Sequence, residues 1–187
     1  MSEKRILKWT PFVVDVEATG PTPADYSMFE IGAVELEKNL DNIFHVHIHP
    51  INSRRDEGSL NSIGKTFLQI CENPRNIEAK RAMENFRDWI ESNTNEGTKP
   101  MFFSDNNGFD FMFTHWYFIH FLGHDPFGHT SRNISDIYGG AQKDMSLAFK
   151  FKKLRVIPHT HSADQDALGN AMALLKAIEI FNIKGII

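Results

Sequence analysis

The feature that most constrains this chain is an apolar run, Pro11-Phe12-Val13-Val14, that ends in two carboxylates, Asp15-Val16-Glu17. A short apolar stretch rich in β-branched and aromatic residues reads as a buried strand over 11–17. Side chains two apart on a strand share a face, so Asp15 and Glu17 project together. Two carboxylates held side by side repel, and one keeps its proton unless a cation neutralises the pair. Hard oxygen ligands of this kind suit Mg²⁺ or Mn²⁺, which bind through a few carboxylates, waters and substrate phosphates. The dyad therefore points to phosphodiester chemistry, although the same tripeptide before a turn also occurs on ordinary surfaces. Gly20 and Pro21 break the strand just beyond it, and the missing bulk at Gly20 would let a substrate backbone approach.

Around this strand the periodicity predicts an α/β domain. Residues 27–38 and 43–49 read as a second and third strand joined by Asn39-Leu40-Asp41-Asn42, a hairpin-type connection that makes them antiparallel. A short helix is predicted over Ser62–Cys71 and a longer one over Ile77–Ser92, where Ala79, Met83, Phe86 and Ile90 recur at helical spacing. Pro100–Ser104 reads as a fourth, buried strand, and Phe109–Leu122 as an aromatic-rich helix ended by Gly123. Ile134–Asp136 is the candidate fifth strand, followed by helix near Ala141–Phe149 and a final helix over 162–181. The whole, residues 1–187, is expected to be one domain: a five-stranded mixed sheet with helices layered on it.

Two further segments carry acidic residues in suggestive positions. In Asp105-Asn106-Asn107-Gly108-Phe109-Asp110, a buried strand hands over to a helix, and Asp110 falls in the first turn, where negative charge is favoured. Helix capping by Asp105 or Asn106 explains the same segment without any chemistry. In Pro158-His159-Thr160-His161-Ser162-Ala163-Asp164-Gln165-Asp166-Ala167, the spacing H-x4-D occurs twice. Helical periodicity chooses between them: Ala163, Ala167, Asn170, Ala171, Leu174 and Ile178 form the packing stripe, and Asp166 borders it. His161 and Asp166 are the candidates, with His159 left as a solvated loop residue.

Together these segments resemble the DEDDh (DnaQ-like) family of 3′–5′ exonucleases. Asp15-Val16-Glu17-Ala18-Thr19-Gly20 is similar to its first motif, Asn106-x-x-Phe109-Asp110 to its second, and His161-x-Ala163-x-x-Asp166-Ala167 to its third. Phe29-Glu30-Ile31-Gly32-Ala33-Val34 resembles its second strand. The chain departs from the family at Asp105, where a histidine is frequent. The resemblance runs from about Phe12 to Leu175 and implies an RNase H-like fold, with helices on both faces of the sheet. It also implies two Mg²⁺ or Mn²⁺ ions held by Asp15, Glu17, Asp110 and Asp166, and His161 as general base. A histidine of ordinary pKa, about 6.5, suits removal of a proton from water at neutral pH. The implied partner is a single-stranded DNA or RNA 3′ end, attacked to release nucleoside 5′-monophosphates. Thr19, Gly20, Met28, Phe29 and Asn106 are the candidate substrate contacts, with Met28 and Phe29 as stacking surfaces for terminal bases or, equally, as core.

Charge and cysteine usage fit this picture. The net charge of −4 argues against a broad basic surface that coats DNA, but four carboxylate ligands account for it and two divalent cations would offset them. A lone cysteine, Cys71, excludes an internal disulfide framework and suits a reducing compartment. Residues 1–8 lack the apolar core of a signal peptide, and no apolar stretch approaches membrane-spanning length, so the expectation is a cytoplasmic protein without a membrane partner.

Other features have plainer readings. His45, His47 and His49 alternate with apolar residues as histidines on the wet face of a half-buried strand do. Phe149-Lys150-Phe151-Lys152-Lys153-Leu154-Arg155 either meets substrate phosphates or complements a helix C-terminus. The aromatic helix is densely packed, and its exposed members could support a homodimer. The rival to an exonuclease is a non-catalytic adaptor on the same scaffold, binding nucleic acid or protein. An RNase H-type endonuclease is a third reading.

Overall fold

The computed structural model describes residues 9–187. Three strands open it, β1 (Trp9–Ala18), β2 (Met28–Glu35) and β3 (Ile43–Ile48), with β2 antiparallel to both β1 and β3. Two short helices, α1 (Glu57–Ser62) and α2 (Phe67–Cys71), precede a two-residue strand β4 (Asn76–Ile77) and the helix α3 (Ala79–Asn93). Then come β5 (Lys99–Ser104), α4 (Asn107–Leu122), β6 (Ser131–Asn133), α5 (Ile134–Ala141), a 3₁₀ segment (Met145–Leu154) and α6 (Ala163–Phe181). The sheet order is β4-β3-β2-β1-β5-β6, with β4, β5 and β6 running parallel to their partners.

Alternation along β1 sorts its side chains between two cores. Phe12, Val14 and Val16 join Met83 and Phe86 of α3 and Phe113, Tyr117 and Phe118 of α4 on one face. Val13 joins Ala167, Ala171 and Leu174 of α6 on the other, with Ile134 and Phe151. Helices therefore cover both faces. Asp15 and Glu17 continue the α6-facing set, in register with Gly32 and Glu30 of β2, which in turn pair with His45 and His47 of β3.

Four expectations are corrected. The sheet has six strands, because Asn76–Ile77 adds a short parallel strand beside β3. The single helix over 62–71 is two, broken where Gly64 takes φ +66° and restarted by a capping box between Thr66 and Gln69. The strand expected over 134–136 lies at Ser131–Asn133; the Asn133 side chain accepts from the Asp136 N–H, so Ile134 already begins a helix. The helix placed near 141–149 gives way to α5 and the 3₁₀ segment. In α4 the rings of Phe113, Tyr117 and Phe118 are buried and the remaining aromatics half-buried, so Ile119 is its exposed large apolar residue. Among the described residues no helix is long and apolar enough to cross a membrane.

Candidate active site

The end of β1, the first turn of α4 and the loop before α6 meet at a cavity of about 300 Å³ whose lining includes Asp15, Glu17, Asp105, Asp110, His159 and His161. Asp15 and Glu17 are each 7% exposed, Asp110 2% and Asp166 0%. Oxygens of Asp15, Glu17 and Asp166 lie within 4.8 Å of one another, and so do oxygens of Asp15, Asp105 and Asp110. Asp15 belongs to both groups. The four carboxylates picked out from three separate segments thus come together, and Asp105 joins them.

The electrostatics of this cluster call for a cation. Burial pushes the Asp15 carboxyl well above the usual carboxylate range, with Asp110 and Glu17 adding to it. Burial does the same at Asp110, where Asp105 adds further. Glu17 is pushed up to about 8, again chiefly by burial, with Lys65 pulling the other way and Glu30 reinforcing the rise. Asp110 Oδ1 accepts from the Val16 N–H at 3.3 Å, whereas its Oδ2 is buried with no hydrogen-bond partner. An orphaned buried oxygen amid carboxylates is poor design for a metal-free protein and is what a hard divalent cation would satisfy. The donor set fits such an ion.

Asp166 is built differently. Its Oδ1 accepts from Arg155 Nη2 at 2.6 Å and from the Thr160 N–H at 3.1 Å. Its Oδ2 pairs with His159 Nδ1 at 2.7 Å and accepts from the His161 N–H at 2.8 Å. Burial would raise this carboxyl, but the bonds from His159, Thr160 and Arg155 outweigh it and hold the group below its ordinary value. His159 is solvated and on a loop, as expected, but its ring also holds Asp166, a bond the sequence did not announce. Arg155 was seen only as part of a basic run. Its reach depends on Gly169, where a Cβ would stand 2.6 Å from Arg155 Nη2.

His161 Nδ1 lies 3.7 Å from Glu17 Oε1, with the ring one third exposed on the cavity. Burial, then the neighbouring His159, lowers its pKa, partly opposed by Asp166. A neutral imidazole at neutral pH is a proton acceptor. Asp105 accepts from Asn170 Nδ2 at 3.0 Å and pairs with Lys152 Nζ at 3.0 Å, which brings one cation of the 149–155 run to the cavity wall.

The candidate substrate contacts divide. Asn106 is exposed on the cavity, and Gly20 lines it. The space a side chain would need at Gly20 is filled by the Tyr26 ring at 2.2 Å, so that glycine makes room for Tyr26 rather than for substrate. Thr19 is fully buried, its hydroxyl donating to the Arg54 carbonyl and accepting from the Ser27 N–H. Met28 is 0% exposed and Phe29 3%, so neither presents a face on which a base could stack. Both are core.

The histidine strand also needs correction, since His47 is buried and His45 and His47 gather on the buried Glu30. The three could cage an ion by distance alone. Glu30 is already filled: Oε1 receives His45 Nε2 and the Ala163 N–H, and Oε2 receives Lys65 Nζ. Against burial, the bonds from His45 and Lys65 hold Glu30 at about 2. It is the centre of a hydrogen-bond knot.

No family model matches the chain. It is 30% identical over 160 residues to the 3′-5′ DNA exonuclease Cap18 of Escherichia coli, covering 84% of this chain and 83% of that protein. Its fold is similar to that of cell-death related nuclease 4 (TM-score 0.69, 17% identity), covering 91% of this chain and 64% of that one. It is also similar to the zinc-bound form of an E. coli Exonuclease I–single-stranded DNA complex (TM-score 0.67, 16% identity), covering 91% of this chain and 40% of that one. The chain thus spans less than two thirds of both solved structures.

Proposed function

This chain belongs to the DEDDh (DnaQ-like) family of 3′–5′ exonucleases with an RNase H-like fold, and we propose that it removes nucleoside 5′-monophosphates from the 3′ ends of single-stranded DNA. The observation that carries the reading is the meeting of Asp15, Glu17, Asp110 and Asp166 around the unpartnered Oδ2 of Asp110. In this reading those four carboxylates hold two divalent cations, Mg²⁺ or Mn²⁺. Such a pair, when bound, lowers the pKa of an attacking water and stabilises the leaving oxygen of an in-line displacement.

The chain's own residues do the rest. His161, neutral and facing the cavity, accepts the proton of the water as its oxygen attacks the terminal phosphorus. The bond to the preceding 3′ oxygen breaks, that oxygen takes a proton from solvent water, and the products are a shortened strand with a 3′ hydroxyl and a nucleoside 5′-monophosphate. Asp166 is kept ionised by Arg155 and His159, and a cation would reach it by displacing the exposed His159 ring from Oδ2. Lys152 stands at the cavity wall, where an ammonium can meet a substrate phosphate. A cleft of this size admits an unpaired, splayed end rather than a duplex. The DNA preference is supported by the name of the Escherichia coli relative and by the single strand bound to Exonuclease I.

Incubation of 5′-labelled single-stranded DNA and RNA of equal sequence, with Mg²⁺, Mn²⁺ or chelator, tests the reading. A ladder shortening from the 3′ end, faster on DNA and absent in chelator, is expected. Internal fragments at early times would mean an endonuclease. Equal binding in chelator with no monophosphate released would mean an adaptor.

A further inference from the structure

The segment from Arg155 to Ser162 has no regular secondary structure, so the place of the His161 ring depends on what grips the backbone around it. His161 itself takes φ +56°, a left-handed conformation that L side chains adopt only with support. Its N–H is held by Asp166 Oδ2 at 2.8 Å. Its carbonyl accepts from Lys65 Nζ at 3.1 Å. The Ala163 N–H donates to Glu30 Oε1 at 3.1 Å, and the Ser162 hydroxyl, which donates to Asp164 Oδ1 at 2.8 Å, lies 3.3 Å from the same Glu30 oxygen.

Lys65 closes this arrangement from outside. It lies in the turn between α1 and α2, and its ammonium also donates to Glu30 Oε2 at 3.0 Å and sits 5.1 Å from the centre of the Phe29 ring. Two oxygens and one aromatic ring thus surround its ammonium. Glu30 is 1% exposed and Phe29 is buried, so both anchors are fixed. Lys65 does not line the catalytic cavity.

We propose that Lys65 is a positioning residue: by bridging Glu30 and the His161 carbonyl, it fixes the backbone that aims the His161 imidazole at the reacting water. The inference rests on His161 as proton acceptor. Transfer of a proton needs the ring within about 3 Å of its donor, and a misplacement of about 1 Å can cost on the order of 100-fold in rate. Because Lys65 lies outside the cavity lining, its loss is expected in kcat and not in KM.

The test is steady-state kinetics of wild type, Lys65→Met, Lys65→Arg, His161→Ala and the Lys65→Met/His161→Ala pair, with NMR of the His161 ring in wild type and Lys65→Met. Lys65→Met is expected to lower kcat by about 10- to 100-fold with KM within about threefold. Lys65→Arg should recover part of the loss, and in the His161→Ala background Lys65→Met should add less than about twofold. The ring signals of His161 should shift or broaden in Lys65→Met. Unmoved ring signals, wild-type kcat, or the same fold-loss with and without His161 would each overturn the positioning role. Moved ring signals together with full kcat in His161→Ala would keep the Lys65 bridge and remove His161 from the chemistry.

Discussion

Arg155 Nη2 stands 2.6 Å from Asp166 Oδ1, with both side chains closed off from solvent. The same guanidinium donates to Asn170 Oδ1 at 2.9 Å and to the Ile157 carbonyl at 3.1 Å, so it splints the loop before α6 onto the helix. Removing one partner of a buried ion pair strands the other charge, which costs about 3–5 kcal/mol. His159 and two backbone N–H groups remain on Asp166, so Arg155→Met is expected at the low end, roughly 3 kcal/mol. Urea denaturation should show this as a lower midpoint at unchanged slope. A midpoint equal to wild type would mean that the pair is dispensable.

Asp15, Glu17 and Asp110 work in the opposite electrostatic direction. Their folded pKa values lie above the unfolded ones, so the folded state binds more protons and stability falls as pH rises from about 4 through the folded values, about 8 for Glu17. Each retained proton gives a slope of at most about 1.4 kcal/mol per pH unit. Glu30 and Asp166 have lowered values, so their contribution is present above about pH 4 and lost as pH falls toward the folded value, about 2 for Glu30. In chelator the melting temperature should therefore peak near about pH 4 and decline toward about pH 8. Mg²⁺ or Mn²⁺ should flatten the decline and release protons on binding, as calorimetry in buffers of different ionisation enthalpy would read. A chelator profile that stays level would contradict the protonated cluster.

Period-two alternation made β1 and its carboxylate face legible in the sequence, and the spacing of the three motifs made Asp110, His161 and Asp166 legible as well. β4 was invisible because two residues, Asn76 and Ile77, are too few to show any period. At 131–136 a capping signal outweighs the apolar one: Asn133 with Asp136 three residues on starts a helix, whatever Ile134 suggests. The bonds of His159 and Arg155 to Asp166 follow the path of a loop without periodicity, so no pattern announces them. Met28 and Phe29 were offered a role at the site from adjacency alone, and strand β2 carries both into the core.

His161 and His159 can now be separated by chemistry rather than by spacing. Loss of a positioned proton acceptor costs about 10²–10⁴-fold, so His161→Ala should lower kcat by that much. His159→Ala removes one bond to an Asp166 that keeps Arg155 and two N–H donors, so its loss should stay below about tenfold at neutral pH. Because burial and His159 depress the His161 pKa, wild-type kcat should hold as pH falls to the ordinary histidine value and drop only below it. A profile of kcat from about pH 5 to 8 reads this limb. Its persistence in His161→Ala would assign it to another group.

Gly32 sets how closely β2 approaches the start of α6. A Cβ there would lie 2.3 Å from the Ala163 carbonyl carbon and 2.3 Å from the Asp164 nitrogen. Both are backbone atoms, so no side-chain rotation relieves the clash and strand and helix must part. Overpacking of this kind costs about 1–3 kcal/mol, and Gly32→Ala is expected at the upper end. The same displacement moves the first turn of α6, which carries Asp166, and the Ala163 N–H that Glu30 holds. Activity per folded molecule should therefore fall along with the melting temperature. Gly140→Ala is the control: it sits exposed near the end of α5 with nothing within 4 Å of the added carbon. There the gain in helix propensity should leave stability unchanged or raised by up to about 1 kcal/mol. If Gly32→Ala melts and turns over like Gly140→Ala, the contact between β2 and α6 is not what seats Asp166.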